Sequence, residues 1–349
     1  MAILSGLSVD NLTEILEGQP SFRAAQIFKW IARGAFSFND MSDLSRELRD
    51  ELAARHSLYG SSIADRLEDP DGTIKLKIRL TDGAMIEAVL LIDGEGRNTA
   101  CISTQAGCPA GCVFCKTGSL GFLRSLEAHE MVEQLLHIRS VVPTISNIVI
   151  MGMGEPLLNR GELRKALGII TDERGMGLSK RRITLSTSGI VEGIRELAEI
   201  GPDIRLAVSL TTADPELRKQ LMPIGRSNPL PDLKEALQYY QKKRGRRITL
   251  EMVLLGGINT RDEDIEGIIR FNRGLDAAVN LIPWNPVEGM AFQGKALREP
   301  TGAEIARFVR ELKRRRITVT RRWRKGRSVS GACGQLGEVP LPQFNRQPH

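Results

Sequence analysis

From Thr99 onward, short apolar runs alternate with amphipathic stretches for more than two hundred residues, and this constrains the fold of the 349-residue chain more than any other feature. The spacing predicts strands at Ala100–Ser103, Asn147–Met151, Arg182–Ser186, Arg205–Leu210, Ile248–Leu254, Ala278–Ile282 and Ile317–Thr320. Between them lie helical patterns, among them Ala128–Ser140, Gly161–Thr171, Pro231–Lys243, Asp262–Asn272 and Ala303–Arg315. Strand-then-helix repetition calls for a parallel sheet with right-handed crossovers. A doubly wound sheet and a full or partial β/α barrel both satisfy it. Either one gathers its working residues at the C-terminal ends of the strands.

The first ninety residues read differently. Leu7–Glu17, Ser21–Ala32 and Met41–Leu52 show helical spacing, with Ile27, Trp30 and Ile31 as the apolar stripe of the second helix. Thr73–Leu80 alternates strictly between apolar and polar residues, and Ala84–Ile92 follows across the turn Thr81-Asp-Gly83. The expected domains are a helical module over 1–60, a β-hairpin linker over 61–97, a core over 98–337 and a Pro-rich polar tail over 338–349.

Three of the five cysteines fall within eight residues, Cys108-Pro-Ala-Gly-Cys112-Val-Phe-Cys115. Clustered thiols in a reducing compartment hold metal more often than they form disulfides. A structural zinc needs four ligands, and neither Cys101, Cys333 nor a nearby His supplies a zinc spacing. An iron–sulfur cluster accepts cysteine ligation and, with three ligands, leaves one iron open for a small chelating molecule. Gly107 and Gly111 let the backbone close around such a group.

This cysteine spacing, with an aromatic residue before the last Cys, resembles the radical S-adenosylmethionine superfamily. A second stretch joins it: Ser146-Asn-Ile-Val-Ile-Met-Gly-Met-Gly154-Glu155-Pro156, an apolar strand ending in Gly and Glu. With Arg182-Ile-Thr-Leu-Ser186, Asn280-Leu-Ile-Pro-Trp-Asn285-Pro286, Cys101, Cys333 and Phe22-Arg-Ala-Ala-Gln-Ile-Phe-Lys-Trp-Ile31, nearly the whole chain resembles the radical methyltransferases that modify carbon 2 of adenine in 23S rRNA and tRNA.

The resemblance implies an α/β fold, a partial (β/α)6-type barrel with an N-terminal helical module and a β-hairpin. It implies one [4Fe–4S] cluster on Cys108, Cys112 and Cys115, and two molecules of S-adenosylmethionine per turnover. Gly154, Glu155, Ser186, Ser209, Thr211 and Asn285 match the cofactor-binding positions. At Ser209-Leu-Thr211 the family has Ser-Leu-His, so Thr replaces His. Cys333 would take a methyl group by displacement. A 5′-deoxyadenosyl radical would strip a hydrogen from it, and the carbon radical would add to the base. Cys101 would resolve the adduct through a disulfide with Cys333. Glu87 matches an acidic residue near the base, a proton acceptor. Before Cys333 the family carries Asp-Ile-Asp-Ala-Ala-Cys, where this chain has Ser328-Val-Ser-Gly-Ala-Cys333.

Ring chemistry on a base requires an unstacked nucleotide, so the RNA target is a loop or bulge. The net charge is +7, with basic clusters at Lys180-Arg-Arg182, Lys242-Lys-Arg244, Arg246-Arg247 and Lys313 to Arg327. Lys180–Arg182 and Lys313–Arg327 are the expected phosphate contacts. An electron donor such as flavodoxin is the further expected partner of a monomer. No signal peptide is visible at Met1–Asn11 and no apolar run spans a bilayer, so the expected location is the cytoplasm. The competing readings are an adenine carbon-8 rRNA methyltransferase conferring antibiotic resistance, a radical enzyme on a small substrate, and a non-catalytic ribosome-binding paralogue. The last of these would need neither Cys101 nor Cys333.

Overall fold

The structure, a computed structural model, describes residues 1–322 and 324–337. The tail expected over 338–349 lies outside the described residues. At the centre is a ten-stranded sheet of β1 (Ser61–Glu68), β2 (Ile74–Leu80), β3 (Met85–Ile92), β4 (Asn98–Cys101), β5 (Asn147–Ile150), β6 (Ile183–Thr187), β7 (Arg205–Ser209), β8 (Ile248–Leu254), β9 (Ala277–Pro283) and β10 (Thr318–Arg321). Every strand pairs with its neighbour in sequence. Strands β4 to β10 run parallel, and β1 to β3 extend the sheet antiparallel from β4.

That order decides between the two candidate folds. A doubly wound sheet reverses its strand order at a switch point. Here there is no reversal, so right-handed crossovers place successive helices on one side and the sheet curves as an open barrel. The crossover helices are α4 (Ala128–Arg139), α5 (Arg160–Thr171), α6 (Val191–Ile200), α7 (Pro215–Leu221) with α8 (Leu230–Arg244), α9 (Asp262–Asn272) and α10 (Gly302–Arg314). They make six strand–helix units closed by β10. Buried Ile148, Leu185, Leu206, Leu250 and Val279 share the face of consecutive strands that the crossover helices cover, and Ser186, Ser209 and Glu251 lie on the opposite face.

The N-terminal helices α1 (Val9–Ile15), α2 (Phe22–Ala32) and α3 (Arg46–Arg55) share one continuous hydrophobic core with the barrel. The third helix starts later than its apolar spacing predicts because the Ser45 hydroxyl accepts from Leu48 N at 3.3 Å and fixes the first turn. Strand β1 has no counterpart in the sequence reading. It lies on the sheet edge with most positions exposed, and so lacks an apolar alternation.

The polar positions of β2 do not all face solvent. Lys75 is fully buried, because α4 packs across β1 to β3 while the chain around Gly326 and Gly331 closes on Thr73 from the hairpin's end.

Candidate active site

The site lies where sequence periodicity places it, at the C-terminal ends of the parallel strands. Leaving β4 at Cys101, the chain turns along residues 102–105 and enters the short strand Gln105–Gly107, paired with Phe122–Ser125. The three-cysteine loop follows. Cys108 N donates to Gly121 O at 2.8 Å, and Val113 N to Leu221 O at 3.0 Å. Gly111 sits at φ +64°, and a Cβ on Gly118 would lie 2.9 Å from the Cys112 backbone, so the next helical turn can seat against the loop only without a side chain. Phe114 anchors the loop in a separate apolar cluster with Leu221, Met222, Leu255, Trp284 and Leu297. Trp284 Nε1 donates to Phe114 O at 2.9 Å. The aromatic residue before the last cysteine thus fixes where the three thiols point.

Burial pushes the Cys108 thiol up to about 12, Cys112 well above the usual thiol range and Cys115 upward; Cys115 and Cys108 add to the effect on Cys112. Three mutually repelling thiolates in an apolar wall are stable only beside positive charge, which iron supplies. A structural zinc gathers four ligands on one ion, whereas a four-iron cubane spreads three cysteines over three irons. The donor set fits the cluster.

The strand-end motif on β5 packs against the chain between Cys101 and Cys108. Gly152 N donates to Ile102 O at 3.0 Å, Thr104 N to Met153 O at 2.8 Å and Glu155 N to Gln105 Oε1 at 2.8 Å. A Cβ on Gly152 would meet Ser103 Oγ at 2.6 Å, and one on Gly154, at φ +105°, would meet Gln105 Cβ at 2.6 Å. The Glu155 carboxylate is buried, and burial raises its pKa. It accepts from Thr187 Oγ1 (2.7 Å), Leu157 N (3.0 Å), and Ser188 N and Oγ (both 2.6 Å). Those four bonds fill a carboxylate's usual acceptor capacity, so a ligand ammonium at this strand end falls chiefly to the neighbouring backbone carbonyls.

Ser186 Oγ donates to Glu251 Oε2 at 2.8 Å. Ser209 offers its backbone carbonyl to the Arg218 guanidinium at 3.1 Å. Thr211 is fully buried in the left-handed region at φ 59°, and its hydroxyl has no partner. A β-branched residue there is a genuine outlier, and such strain gathers at functional sites. The orphaned hydroxyl is a waiting contact for a polar ligand.

Cys101 is buried and Cys333 half-buried; both are free thiols on one cavity of about 360 Å³. Burial pushes Cys101 up to about 12, and Cys333 adds to it, while the nearby Arg322 guanidinium opposes the rise. Cys333 also reaches Cys115 electrostatically, so the pair adjoins the three-cysteine loop.

The Cys333 loop is gripped from several sides. Asn285 Nδ2 donates to Cys333 O at 2.9 Å, and Asn285 Oδ1 accepts from Arg324 Nε at 2.7 Å. Lys116 N donates to Gly334 O at 2.7 Å, and Thr117 Oγ1 to Leu336 O at 2.7 Å. Glu87, only 2% exposed, accepts from Gly337 N at 2.8 Å and pairs with buried Lys75 at 3.6 Å. The loop lacks acidic residues of its own, but the β1–β2 turn provides them: Asp69 accepts from Ser328 N and Oγ, both at 2.7 Å, and Asp71 from Gly326 N at 2.8 Å.

Glu251 escaped the sequence reading, and Arg322 entered it only as one member of the Lys313–Arg327 run. Glu251 is a buried carboxylate on β8, and Arg322 owes its raised pKa first to Cys333 and then to Glu251 and Cys101. A lone Glu within the run Ile-Thr-Leu-Glu-Met-Val-Leu is the only signal the sequence offered.

The basic clusters divide. Lys180–Arg182 immediately precede β6, Arg246 and Arg247 precede β8, and Lys313–Arg316 precede β10. All stand at the N-terminal ends of the strands, about 16 Å of strand away from the cysteines. Arg322, Arg324, Lys325 and Arg327 line the cavity itself. Lys180–Arg182 and the first part of the Lys313–Arg327 run therefore stand away from the cavity mouth.

Comparison with known proteins agrees with this layout. Residues 102–271 match the radical SAM superfamily, which implies a [4Fe–4S] cluster and S-adenosylmethionine, and residues 4–58 match the ribosomal RNA large subunit methyltransferase N-terminal domain. The chain is 46% identical to a "Probable dual-specificity RNA methyltransferase RlmN" of Treponema pallidum (strain Nichols), over 96% of this chain and 97% of that one. It is 43% identical to the dual-specificity RNA methyltransferase RlmN of Halorhodospira halophila, over 96% and 94%. A crystal structure of a radical SAM methyltransferase from Sphaerobacter thermophilus superposes with a TM-score of 0.91 at 40% identity, covering 96% of this chain and 99% of that one. The chain thus belongs to the RlmN family of radical SAM RNA methyltransferases.

Proposed function

We propose that this enzyme adds a methyl group to carbon 2 of an unstacked adenine, in 23S rRNA at the peptidyl-transferase centre and in tRNA next to the anticodon, with Cys333 carrying the methyl and Cys101 resolving the adduct. The observation that carries this reading is the shared cavity, lined by two free thiols, one on β4 and one on the C-terminal loop, beside the three-cysteine loop. The names of the relatives support RNA as the substrate class.

Cys108, Cys112 and Cys115 would hold the cluster, which when bound supplies the electron that opens S-adenosylmethionine to a 5′-deoxyadenosyl radical. Arg322 favours the anionic form of Cys101 by its charge. Cys333 Sγ takes the methyl by displacing the sulfonium. Methylation removes the lesser of the two causes that raise the Cys101 pKa, so loading Cys333 favours the Cys101 thiolate, the form able to take a proton. With the adduct's odd electron returned to the redox system that supplied it, Cys101 takes the carbon-2 proton. Its sulfur then bonds to that of Cys333 as the carbon–sulfur bond breaks, and the electron pair of that bond stays on the one-carbon bridge, which takes up a proton to become the methyl group.

Glu87 and Asn285 keep the loop in register through Gly337 N and Cys333 O. Gly154, Glu155, Ser186, Ser209 and Thr211 form the wall of the cofactor site. Arg324, Lys325 and Arg327 meet phosphate, and an electron donor such as flavodoxin completes the system.

Anaerobically reconstituted protein, incubated with an adenine-containing rRNA or tRNA fragment and digested to nucleosides, should give 2-methyladenosine. A product of 8-methyladenosine, or unmodified RNA, would overturn the assignment.

A further inference from the structure

One buried charge in the site has no obvious counterion. Arg218, on α7, is 1% exposed, and among the described residues its guanidinium meets no carboxylate. Nη1 donates to Ser209 O at 3.1 Å, to Leu210 O at 2.5 Å and to the Met222 sulfur at 3.4 Å; Nη2 donates to Ser188 O at 2.6 Å. Nε has no partner. Burying a charge against carbonyls alone is costly, and buried cations are ordinarily paired. The place of Arg218 is beside the cysteine loop: Met222, whose sulfur it meets, belongs to the apolar cluster of Phe114 against which Cys112 and Cys115 pack, and Leu221 O on the same helix accepts from Val113 N at 3.0 Å. Burial lowers the guanidinium to about 10, and the Cys112 sulfur is the opposite charge that reaches it. The chain also keeps room for it. A Cβ on Gly189 would lie 3.2 Å from Nη2, and one on Gly225 would lie 3.3 Å from the arginine's Cγ.

We propose that Arg218 is the fixed countercharge of the three-cysteine cluster, a positioning residue that makes the cluster easier to reduce. The inference rests on the reading that Cys108, Cys112 and Cys115 hold a [4Fe–4S] group. A core of charge 2+ on three thiolates carries a net −1, and one electron from a low-potential donor takes it to −2. A cation fixed nearby in a poorly screened interior stabilises the second state more than the first. Arg218 neither gains nor loses an electron. The simpler role is a brace that ties the carbonyl ends of β6 and β7, and the two roles separate by charge. Lysine keeps the charge but loses the planar fork that spreads donors over these carbonyls, whereas glutamine keeps a hydrogen-bonding amide without charge.

The test compares wild type, Arg218→Lys and Arg218→Gln after anaerobic reconstitution, with iron and sulfide counted per chain. The reduction midpoint is then followed by electron paramagnetic resonance during dithionite titration. Wild type and the lysine variant should titrate together, and the glutamine variant at a more negative potential. Loss of iron from the glutamine variant alone would support the same conclusion. If lysine and glutamine shift alike, if neither shifts, or if both lose iron, Arg218 is only a brace and the proposal is overturned. Wild-type protein that assembles no cluster would instead remove the underlying reading, and this inference with it.

Discussion

Gly154 shows how much of the site depends on single residues. At φ +105°, with Gln105 Cβ 2.6 Å from where its own Cβ would stand, it admits no side chain without moving the chain that links Cys101 to Cys108. Gly154→Ala should therefore cost about 2 kcal/mol or more of stability in denaturant titrations, with loss of cofactor binding. At this scale the sequence was readable where ligand chemistry is local. Three cysteines in eight residues stand out because ligand spacing is a local property of the chain. The partners of Glu155, by contrast, lie about thirty residues away on β6 and just beyond it, and Arg322 meets Cys101 only because β10 and β4 feed one mouth. No local pattern encodes such contacts. Glu87 makes the same point: an alternating hairpin strand suggests an exposed carboxylate, and the fold buries it against Lys75 and Gly337.

At the scale of elements, most helices and strands follow from apolar periodicity, and the exceptions have physical causes. Strand β1 is an exposed edge, and α3 begins where Ser45 caps it. The junction between the N-terminal helices and α4 is polar inside, which periodicity does not reveal. Glu133 on α4 accepts from Ser5 Oγ at 2.6 Å, from Gly60 N at 2.9 Å and from Ser61 Oγ, which lies 3.0 Å from His137 Nε2. Burial pushes His137 down to about 4. Between about 4 and its unfolded value near 6.5 the native state therefore binds fewer protons than the unfolded state. Stability should be complete above about 6.5 and fall as pH drops through that window, by roughly 3 kcal/mol for the histidine alone. Glu133, whose pKa burial raises, works in the opposite sense towards the acidic end. Denaturant midpoints measured from about pH 7 to about pH 5 should decline in wild type and flatten in His137→Gln. An equal decline in both would place the pH dependence elsewhere.

For the whole molecule, strand–helix alternation was enough to specify a parallel sheet but not its closure. Strand order is a property of how crossovers stack, and only the strictly sequential pairing of β1 to β10 selects the open barrel. Charge carries a related ambiguity. A basic cluster in sequence does not say which end of a strand it occupies, and here the clusters before β6, β8 and β10 stand away from the mouth while Arg324, Lys325 and Arg327 line it. Binding of an RNA fragment across a potassium chloride series should show the difference. Arg327→Gln should reduce the salt slope by about 0.7–0.9, the equivalent of one phosphate contact, and Arg181→Gln should leave it unchanged. The central claim is that Cys333 carries the methyl and Cys101 releases it, and it is tested most directly by mass spectrometry of the Cys101→Ala protein after anaerobic turnover with RNA. The account predicts a covalent RNA–protein species attached through a one-carbon bridge at Cys333. A Cys333→Ala protein that methylates RNA at the wild-type rate would contradict it.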